Sequence, residues 1–251
     1  MLGFVICGPE HSGTTVVSDL FRQVPGVSAG FEVGVLLAPS PRHFPALEIY
    51  AEITQRSWGL DQAQLAACCD TDALPVFYAR LQAASTVLKP GTHTVFDKTP
   101  RYLACLRACM AKVGVPFIVV QKDPRATVYS DWRRAGSPDI SGWYETYAPD
   151  KIGYLRMLYG EYIATLDDPR VCRVSLEALC LDTRRTCERM FAHTGFDFDL
   201  AYLALFGMRD DGTRHAALSS GIPMEFRRDF PRPVTAVLER DFAEFADWFY
   251  D

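Results

Sequence analysis

The sequence predicts an α/β fold of three layers, with a mostly parallel central sheet and helical insertions. Short runs rich in Val and Ile alternate with stretches of helical periodicity, which is the pattern of parallel strands covered by helices on both faces. A glycine-containing turn directly follows the first of these runs, as at the ligand-binding edge of such sheets. The 251 residues are expected to form one domain, residues 1–251.

The elements are assigned in chain order. The predicted strands are residues 4–7, 94–96, 117–121 and 171–174. The predicted helices are residues 13–23, 101–113, 125–133, 154–166, 183–194 and 234–249. Two helix-rich or irregular insertions, about residues 39–88 and 137–148, separate the strands, and a loop rich in Gly, Arg, Ser and Pro covers residues 206–233. Such insertions shape the ligand crevice of an α/β sheet.

The composition excludes several classes of protein. The formal net charge of −5 argues against a nucleic-acid partner, because such binding needs an extended basic face. No apolar stretch reaches the roughly 18 residues that span a bilayer, and the first run breaks at Gly8, too early for a secretory signal. The eight cysteines lack metal-binding spacing. We therefore expect a cytoplasmic protein with reduced thiols and no metal.

A phosphate-binding loop is the strongest local signal. The segment GPEHSGTT, residues 8–15, follows a predicted strand and opens a predicted helix, and its two glycines are spaced as in GxxxxGK[ST]. Backbone N–H groups in such a loop bind a phosphate. Thr14 stands where that motif carries lysine, which disfavours an ordinary nucleoside triphosphatase. A glycine-rich turn that only starts a helix is the alternative interpretation.

The same loop resembles the 5′-phosphosulfate loop of the sulfotransferases that use 3′-phosphoadenylyl sulfate (PAPS). HSGTT, residues 11–15, is similar to the [KR]SGTT or [KR]SGSS of that family. DKTPRY, residues 97–102, resembles the family's EKTP or DKTP segment. KDPR, residues 122–125, followed by Ser130, resembles its 3′-phosphate motif, with Lys122 in place of the usual Arg.

Two later segments extend the resemblance over nearly the whole chain. RVSLEAL, residues 173–179, is similar to a weaker RYEDL segment, and the stretch from SSGIP at residues 219–223 to Arg228 resembles the C-terminal cofactor loop. The ordered combination is more specific than any single match. The resemblance implies a P-loop NTPase-like fold and PAPS-dependent sulfuryl transfer, with adenosine 3′,5′-bisphosphate (PAP) as the second product and no metal.

The resemblance also implies roles for individual residues. Glu32 lies twenty-one residues after His11, the spacing of the base glutamate in tyrosylprotein sulfotransferases, and is the candidate catalytic base. Lys98 is implied to bind the transferring group. His11 takes the position where the family carries Lys or Arg, so its charge depends on pH. The candidate cofactor-binding residues are His11, Ser12, Gly13, Thr14, Thr15, Lys122, Ser130, Ser220, Arg227 and Arg228.

Two other functions stay open from the sequence. A P-loop kinase needs the missing lysine and also a Mg²⁺ carboxylate, for which Asp97 is available. A non-catalytic relative would bind nucleotide or a partner through the same cleft. The sequence does not assign the oligomeric state or the acceptor, which is a small molecule, carbohydrate or peptide with a hydroxyl or amine group.

Overall fold

The computed structural model describes residues 1–207 and 224–248. The strands in these ranges are β1 (Leu2–Cys7), β2 (Val27–Ser28), β3 (Thr94–Lys98), β4 (Phe117–Gln121) and β5 (Val171–Ser175). They form one sheet in the order β2-β3-β1-β4-β5, in which every neighbouring pair is parallel. The predicted parallel sheet is confirmed, and β1, β3, β4 and β5 correspond to the four predicted strands.

The α-helices lie on both sides of this sheet. Within the described ranges they are α1 (Thr14–Phe21), α2 (Glu48–Trp58), α3 (Gln62–Cys69), α4 (Leu74–Ala84), α5 (Leu106–Met110), α6 (Pro124–Ala135), α7 (Ile140–Ile163), α8 (Leu176–Leu181), α9 (Thr183–His193), α10 (Glu225–Asp229) and α11 (Arg232–Asp241). Short 3₁₀ helices lie at Val35–Leu37, Pro41–Ala46, Pro100–Cys105, Leu200–Gly207 and Ala243–Trp248. None of the described helices is long and apolar enough to cross a lipid bilayer.

The order of the strands determines where a ligand can bind. From β1 the chain first builds β2 and β3 on one side, and it then builds β4 and β5 on the other. Ligands of such sheets bind beyond the carboxyl ends of the strands, at the point where the order reverses. The loop from Gly8, the side chain of Lys98 on β3 and that of Lys122 after β4 are therefore brought to one edge.

The sequence does not predict β2, because two residues are too few to show a periodic pattern. Val27 pairs with Thr94 and Ser28 with Val95, so β2 adds to the edge of the sheet beside β3. This pairing fixes the start of the segment that contains Glu32. A short strand that no pattern reveals thus decides which side chain lies next to the end of β3.

The insertion predicted at residues 137–148 is helical, because α7 begins at Ile140 and continues through Pro149. The Asp139 carboxylate accepts hydrogen bonds from the backbone N–H groups of Ser141 and Gly142, each at 3.1 Å, and so caps the helix. Glycine and proline weaken the helical signal of this stretch, but the cap starts the helix before them.

The helix predicted at residues 101–113 is interrupted. Its first part is the 3₁₀ helix Pro100–Cys105, and α5 follows it. The N–H of Tyr102 donates to the carbonyl of Thr99 at 3.2 Å, which is the three-residue spacing of a 3₁₀ turn. This tighter turn carries the Tyr102 hydroxyl onto Asp97 at 2.6 Å.

The C-terminal predictions are partly corrected. The helix predicted at residues 234–249 is α11, which starts at Arg232 and ends at Asp241, followed by the 3₁₀ helix Ala243–Trp248. The predicted loop at residues 206–233 contains α10 in its described part. Residues 208–223 of that loop, including Ser220, lie outside the described residues.

An aromatic cluster anchors α1 and α9 to one face of the sheet. The ring of Phe4 on β1 lies 4.4 Å from that of Phe21 and 4.9 Å from that of Phe96. The Phe21 ring stacks on Phe191 of α9 at 4.3 Å between centroids. Because all four rings are buried, the far end of α1 is fixed by packing.

Candidate active site

The loop after β1 has the backbone of a phosphate-binding turn. Gly8 lies so close to β4 that an added Cβ would meet the Val120 carbonyl oxygen at 2.1 Å, and Gly13 adopts a left-handed conformation with φ 98. No side chain caps the start of α1, and its first turn carries no acidic residue. The free N–H groups of such a turn and the positive end of the helix dipole favour an anion.

Ser12 adds a second indication that this loop is built for a ligand. Its side chain is fully buried, and its Oγ has no hydrogen-bond partner among the described residues. A buried hydroxyl without a partner is costly, so the loop gains stability when a ligand oxygen accepts this hydrogen bond. The loop therefore presents both backbone N–H groups and an unpaired hydroxyl.

Lys98 and Glu32 form an ion pair beside this loop. The Lys98 Nζ lies 3.1 Å from Glu32 Oε1, although the lysine side chain is only 1 % exposed. The same Nζ lies 3.6 Å from the centroid of the Phe31 ring, at a cation–π distance. Burial lowers the pKa of Lys98, and the Glu32 carboxylate opposes this shift. The structure thus joins two residues that the sequence separates by sixty-six positions.

Hydrogen bonds to Thr99, the residue directly after β3, hold the backbone that follows Glu32. The Thr99 Oγ1 accepts the N–H groups of Val33 and Gly34 at 3.2 Å and 3.1 Å. The Thr99 hydroxyl in turn donates to Asp97 Oδ1 at 2.8 Å. Glu32 therefore lies on a segment that is fixed to the end of β3 rather than on a free loop.

Asp97 is the buried acceptor at the base of this arrangement. Besides Thr99, the hydroxyls of Tyr78 and Tyr102 donate to its Oδ2 at 2.7 Å and 2.6 Å. Burial raises the pKa of Asp97, and the three hydroxyl donors oppose that shift. Because both carboxylate oxygens are engaged by buried hydroxyls, Asp97 supports β3 and is not directed to a ligand. Its predicted use as a Mg²⁺ carboxylate has no support in this geometry.

A cavity of about 320 Å³ lies between the loop and the ion pair. Its lining residues come from the loop, from the segment beside β2, from the end of β3 and from α6. They are Glu10, His11, Gly13, Thr14, Thr15, Phe31, Glu32, Lys98, Pro100 and Arg134. The structure therefore gathers the predicted His11, Glu32 and Lys98 around one space. The sequence does not single out Arg134 or Phe31, since both reach the cavity only through the tertiary fold.

His11 has a strained backbone, which is typical of residues at functional sites, and it lies among charged side chains of both signs. Its φ of 66 lies in the left-handed region, which is uncommon for a residue other than glycine. Partial desolvation of the ring lowers the pKa of His11, and the Arg134 cation lowers it further, while the Asp131 carboxylate acts in the opposite direction. Without a bound anion the imidazole is therefore the neutral form at pH 7.

Lys122 and Ser130 lie side by side on the other side of β1. The Lys122 Nζ, at the end of β4, donates to the Ser130 Oγ of α6 at 2.6 Å, and the serine hydroxyl donates to the Ala126 carbonyl at 3.0 Å. Lys122 is 7 % exposed. Burial lowers its pKa, and the Glu177 carboxylate opposes the shift. The predicted pair is thus in direct contact.

Glu177 is a buried acid that the sequence analysis does not assign to the site, although it lies in the quoted segment RVSLEAL. Its Oε1 accepts the backbone N–H of Asp123 at 2.9 Å, while its Oε2 is buried without a partner among the described residues. Burial raises the pKa of Glu177 to about 7. The side chain fixes the turn between Lys122 and α6, and this turn helps to position the lysine.

The two late arginines are engaged elsewhere. Arg227 pairs with Glu239 at 2.9 Å, and Arg228 pairs with its neighbour Asp229 at 2.6 Å. Neither arginine lines the cavity, so their assignment to the cofactor stays a prediction. Ser220, the third residue of that group, is outside the described residues. Within the described ranges, no group of three His, Cys, Asp or Glu residues has metal-binding geometry.

The family follows from a comparison with known proteins. A model of the sulfotransferase family matches residues 4–199. This chain belongs to that family. The match covers the loop, both lysines and Glu32, and it confirms the predicted family and reaction class. None of the curated proteins matches the sequence of this sulfotransferase.

Solved structures support the fold of the sulfotransferase at low sequence identity. A sulfotransferase domain from the olefin synthase of Synechococcus PCC 7002 is 21% identical, with a TM-score of 0.68 over 99% of this chain and 94% of that one. A sulfotransferase domain from the curacin biosynthetic pathway is 14% identical, with a TM-score of 0.64 over 97% and 96%. A mouse sulfotransferase, SULT7A1, solved in complex with PAP, is 10% identical, with a TM-score of 0.53 over 96% and 83%.

The buried acid makes the stability of this sulfotransferase depend on pH. The pKa of Glu177 is raised from 4.5 to about 7, so its stabilising contribution is complete below pH 4.5 and is lost as the pH rises toward 7. We therefore expect the free energy of unfolding to fall by about 3 kcal/mol at most over this pH range. Glu177→Gln is uncharged at every pH and should not show this fall. Urea denaturation between about pH 5 and pH 8 measures it.

A surface glutamate provides the matched control for that measurement. Glu188 pairs with Arg184 on the exposed face of α9, so Glu188→Gln is expected to keep the wild-type pH dependence. Parallel curves of unfolding free energy for wild type and Glu177→Gln would contradict the assignment of a buried, neutral acid at this position.

Proposed function

We propose that this chain is a single-domain, PAPS-dependent sulfotransferase of the cytoplasm that transfers a sulfuryl group to a hydroxyl or amine acceptor. The proposal rests on two groups of residues suited to anions that lie at one edge of the sheet. The uncapped loop before α1 lies beside Lys98 and Glu32, and Lys122 contacts Ser130 on the far side of β1. PAPS has two anionic groups, a 5′-phosphosulfate and a 3′-phosphate.

The residues fit this donor. The unpaired Ser12 hydroxyl and the free N–H groups at the start of α1 suit the 5′-phosphosulfate. Lys122 and Ser130 suit the 3′-phosphate, because a buried ammonium and a hydroxyl lie within 2.6 Å of each other. The PAP bound in the mouse relative supports extending the nucleotide to this chain. PAPS supplies the sulfuryl group, and no metal is part of the proposal.

Glu32 and Lys98 are assigned to the transfer itself. The Glu32 carboxylate lines the cavity and removes the proton of the acceptor as general base. Lys98 provides positive charge close to where negative charge develops during the transfer. Because its side chain is buried, water is excluded from that side of the site. The contact between them keeps the base beside the cation, so both groups are positioned before an acceptor enters.

His11 stands where the family carries a permanent cation. A bound anion favours imidazolium and raises the pKa of His11 above its ligand-free value. Arg134 lines the same cavity, so a permanent cation remains nearby at every pH. His11 therefore supplies charge to the transferring group only while it is protonated.

The alternative functions receive less support. A kinase of this fold needs a loop lysine, and Thr14 occupies that position; the oxygens of Asp97 are engaged by Tyr78, Tyr102 and Thr99. A nucleotide-binding relative without activity has no need for Glu32 beside Lys98. All eight cysteines are free thiols, which agrees with the reducing compartment that we propose.

The nucleotide site is tested with Lys122→Ala. Loss of a charge-assisted hydrogen bond, worth roughly 1.5–3 kcal/mol, is expected to weaken PAP binding about 10- to 100-fold in calorimetric titration. Lys89→Ala is the matched control, because Lys89 is exposed and donates to the Arg22 carbonyl.

Wild type should also be stabilised thermally by PAP and not by ATP with Mg²⁺. Unchanged PAP affinity in Lys122→Ala, or an equal shift with ATP, refutes the site.

The base is tested with Glu32→Gln. We expect turnover to fall by at least about 100-fold while PAP affinity stays within about twofold, because the amide still accepts from Lys98 but cannot take a proton. Glu52→Gln, an exposed change on α2, is the control. A thermal melt separates lost chemistry from a disrupted buried pair. A Glu32→Gln protein that folds and keeps wild-type turnover rules out Glu32 as the base.

The role of His11 is tested by a pH–rate profile. The turnover of wild type is expected to decline on the alkaline side, as the imidazolium of the complex loses its proton. His11→Arg keeps its charge and should extend activity to higher pH, whereas His11→Ala should lower turnover throughout. Identical profiles for wild type and His11→Arg exclude an essential ionisation at His11.

A further inference from the structure

Two cysteines are in contact in the segment that follows β3. Cys105 ends the 3₁₀ helix Pro100–Cys105, and Cys109 lies one turn later on α5. Their Sγ atoms are 3.6 Å apart, and both thiols are free. Cys105 directly precedes α5 and Cys109 lies within it. The fold therefore keeps two thiols in van der Waals contact.

The two thiols differ in exposure and acidity. Cys105 is half-buried and Cys109 is buried. The hydrogen-bond contact with Cys109 lowers the pKa of Cys105; the cations of Lys112 and Arg101 act in the same direction, while burial and the Glu161 carboxylate oppose them. Cys105 is thus the thiol that solvent reaches and that forms a thiolate, the nucleophilic state of cysteine.

The other thiols with shifted acidity are unreactive by comparison. Burial raises the pKa of five further cysteines, Cys7, Cys68, Cys69, Cys172 and Cys187. All five are buried, which keeps them in the thiol form. The environment of Cys105 is therefore a local property and not one shared by the cysteines of this chain.

A disulfide needs the two sulfur atoms to move closer together. A disulfide requires an S–S distance of about 2.05 Å, so the Sγ atoms must approach by roughly 1.5 Å. Cys105 has φ −146 and ψ 44, outside the helical region, and is not restrained by a position inside α5. We therefore expect the sulfur atoms to approach through movement at Cys105 rather than within α5.

The surroundings of Cys109 also permit closure. Its thiol donates weakly to the Leu36 carbonyl at 3.8 Å, and a disulfide would remove that donor. The Lys112 ammonium donates to the same carbonyl at 2.6 Å. Because the oxygen keeps a strong, charged donor, forming the bond leaves no unpaired buried group.

We propose that Cys105 and Cys109 form a peroxide-reactive dithiol that closes reversibly to a disulfide. The Cys105 thiolate attacks hydrogen peroxide, which breaks the O–O bond and gives a sulfenic acid and hydroxide. The Cys109 thiol then attacks the sulfenic sulfur and releases water, so that two thiols and one peroxide yield one disulfide and two waters. A thiol reductant restores both thiols. Disulfides of reducing compartments are transient and redox-sensing in this way.

Trypsin separates the two cysteines and so makes the bond directly measurable. Cleavage after Arg101, Arg107 and Lys112 gives peptides 102–107 and 108–112, each with one cysteine. After the folded protein is treated with a small excess of hydrogen peroxide and free thiols are blocked, we expect these two peptides to be joined. The mass of the joined pair should be the sum of the two peptide masses minus two hydrogen atoms. Reduction with dithiothreitol should separate the two peptides.

Two variants identify the order of attack. In Cys109→Ser the Cys105 sulfenic acid has no resolving thiol and should be captured by dimedone. In Cys105→Ser neither the joined peptides nor a dimedone adduct at Cys109 should form. Cys172→Ser is the control and should behave as wild type. The proposal is overturned by a joined pair that forms only after denaturation, by a bond from either cysteine to another partner, or by oxidation of Cys105 to sulfinic acid with Cys109 still free.

Discussion

The buried ammonium of Lys98 is the charge around which the cavity is organised. A lysine with 1 % exposure is unfavourable unless it is compensated, and the compensation comes from the Glu32 carboxylate and the Phe31 ring. Both belong to the segment after β2, so the charge on β3 determines how that segment lies. The Thr99 hydroxyl fixes the same segment by its next two N–H groups. The position of the proposed base is therefore a consequence of burying a cation.

The acidic net charge of the protein does not prevent it from binding an anionic donor. The chain carries a net charge of −5, but the side chains of Lys98, Lys122 and Arg134 gather at the carboxyl edge of the sheet. Local cations determine the field inside a cleft of low dielectric more than the total charge does. The start of α1 adds the dipole of the loop N–H groups. The fold thus brings cations to the donor site although the chain as a whole is acidic.

Much of the architecture was predictable because it is encoded locally. Strands β1, β3, β4 and β5 are short apolar runs, and the loop at residues 8–15 has a recognisable glycine spacing. The contact of Lys122 with Ser130 also follows from local geometry, since one residue directly follows β4 and the other lies on the next helix. The remainder depends on contacts between distant segments. Neither the pairing of β2 nor the three hydroxyls on Asp97 leaves a periodic pattern, and Glu177 acts only through the fold.

The central claim is that this chain moves a sulfuryl group from PAPS to an organic acceptor. The most direct test is to incubate the protein with PAPS carrying a ³⁵S label and an extract of its host, and to identify the labelled products by mass spectrometry. The account predicts organic products heavier by one SO₃ group, with PAP released in equal amount, and no such products when Lys98→Ala replaces wild type. Label that stays in PAPS, or that appears only as free sulfate, would contradict it.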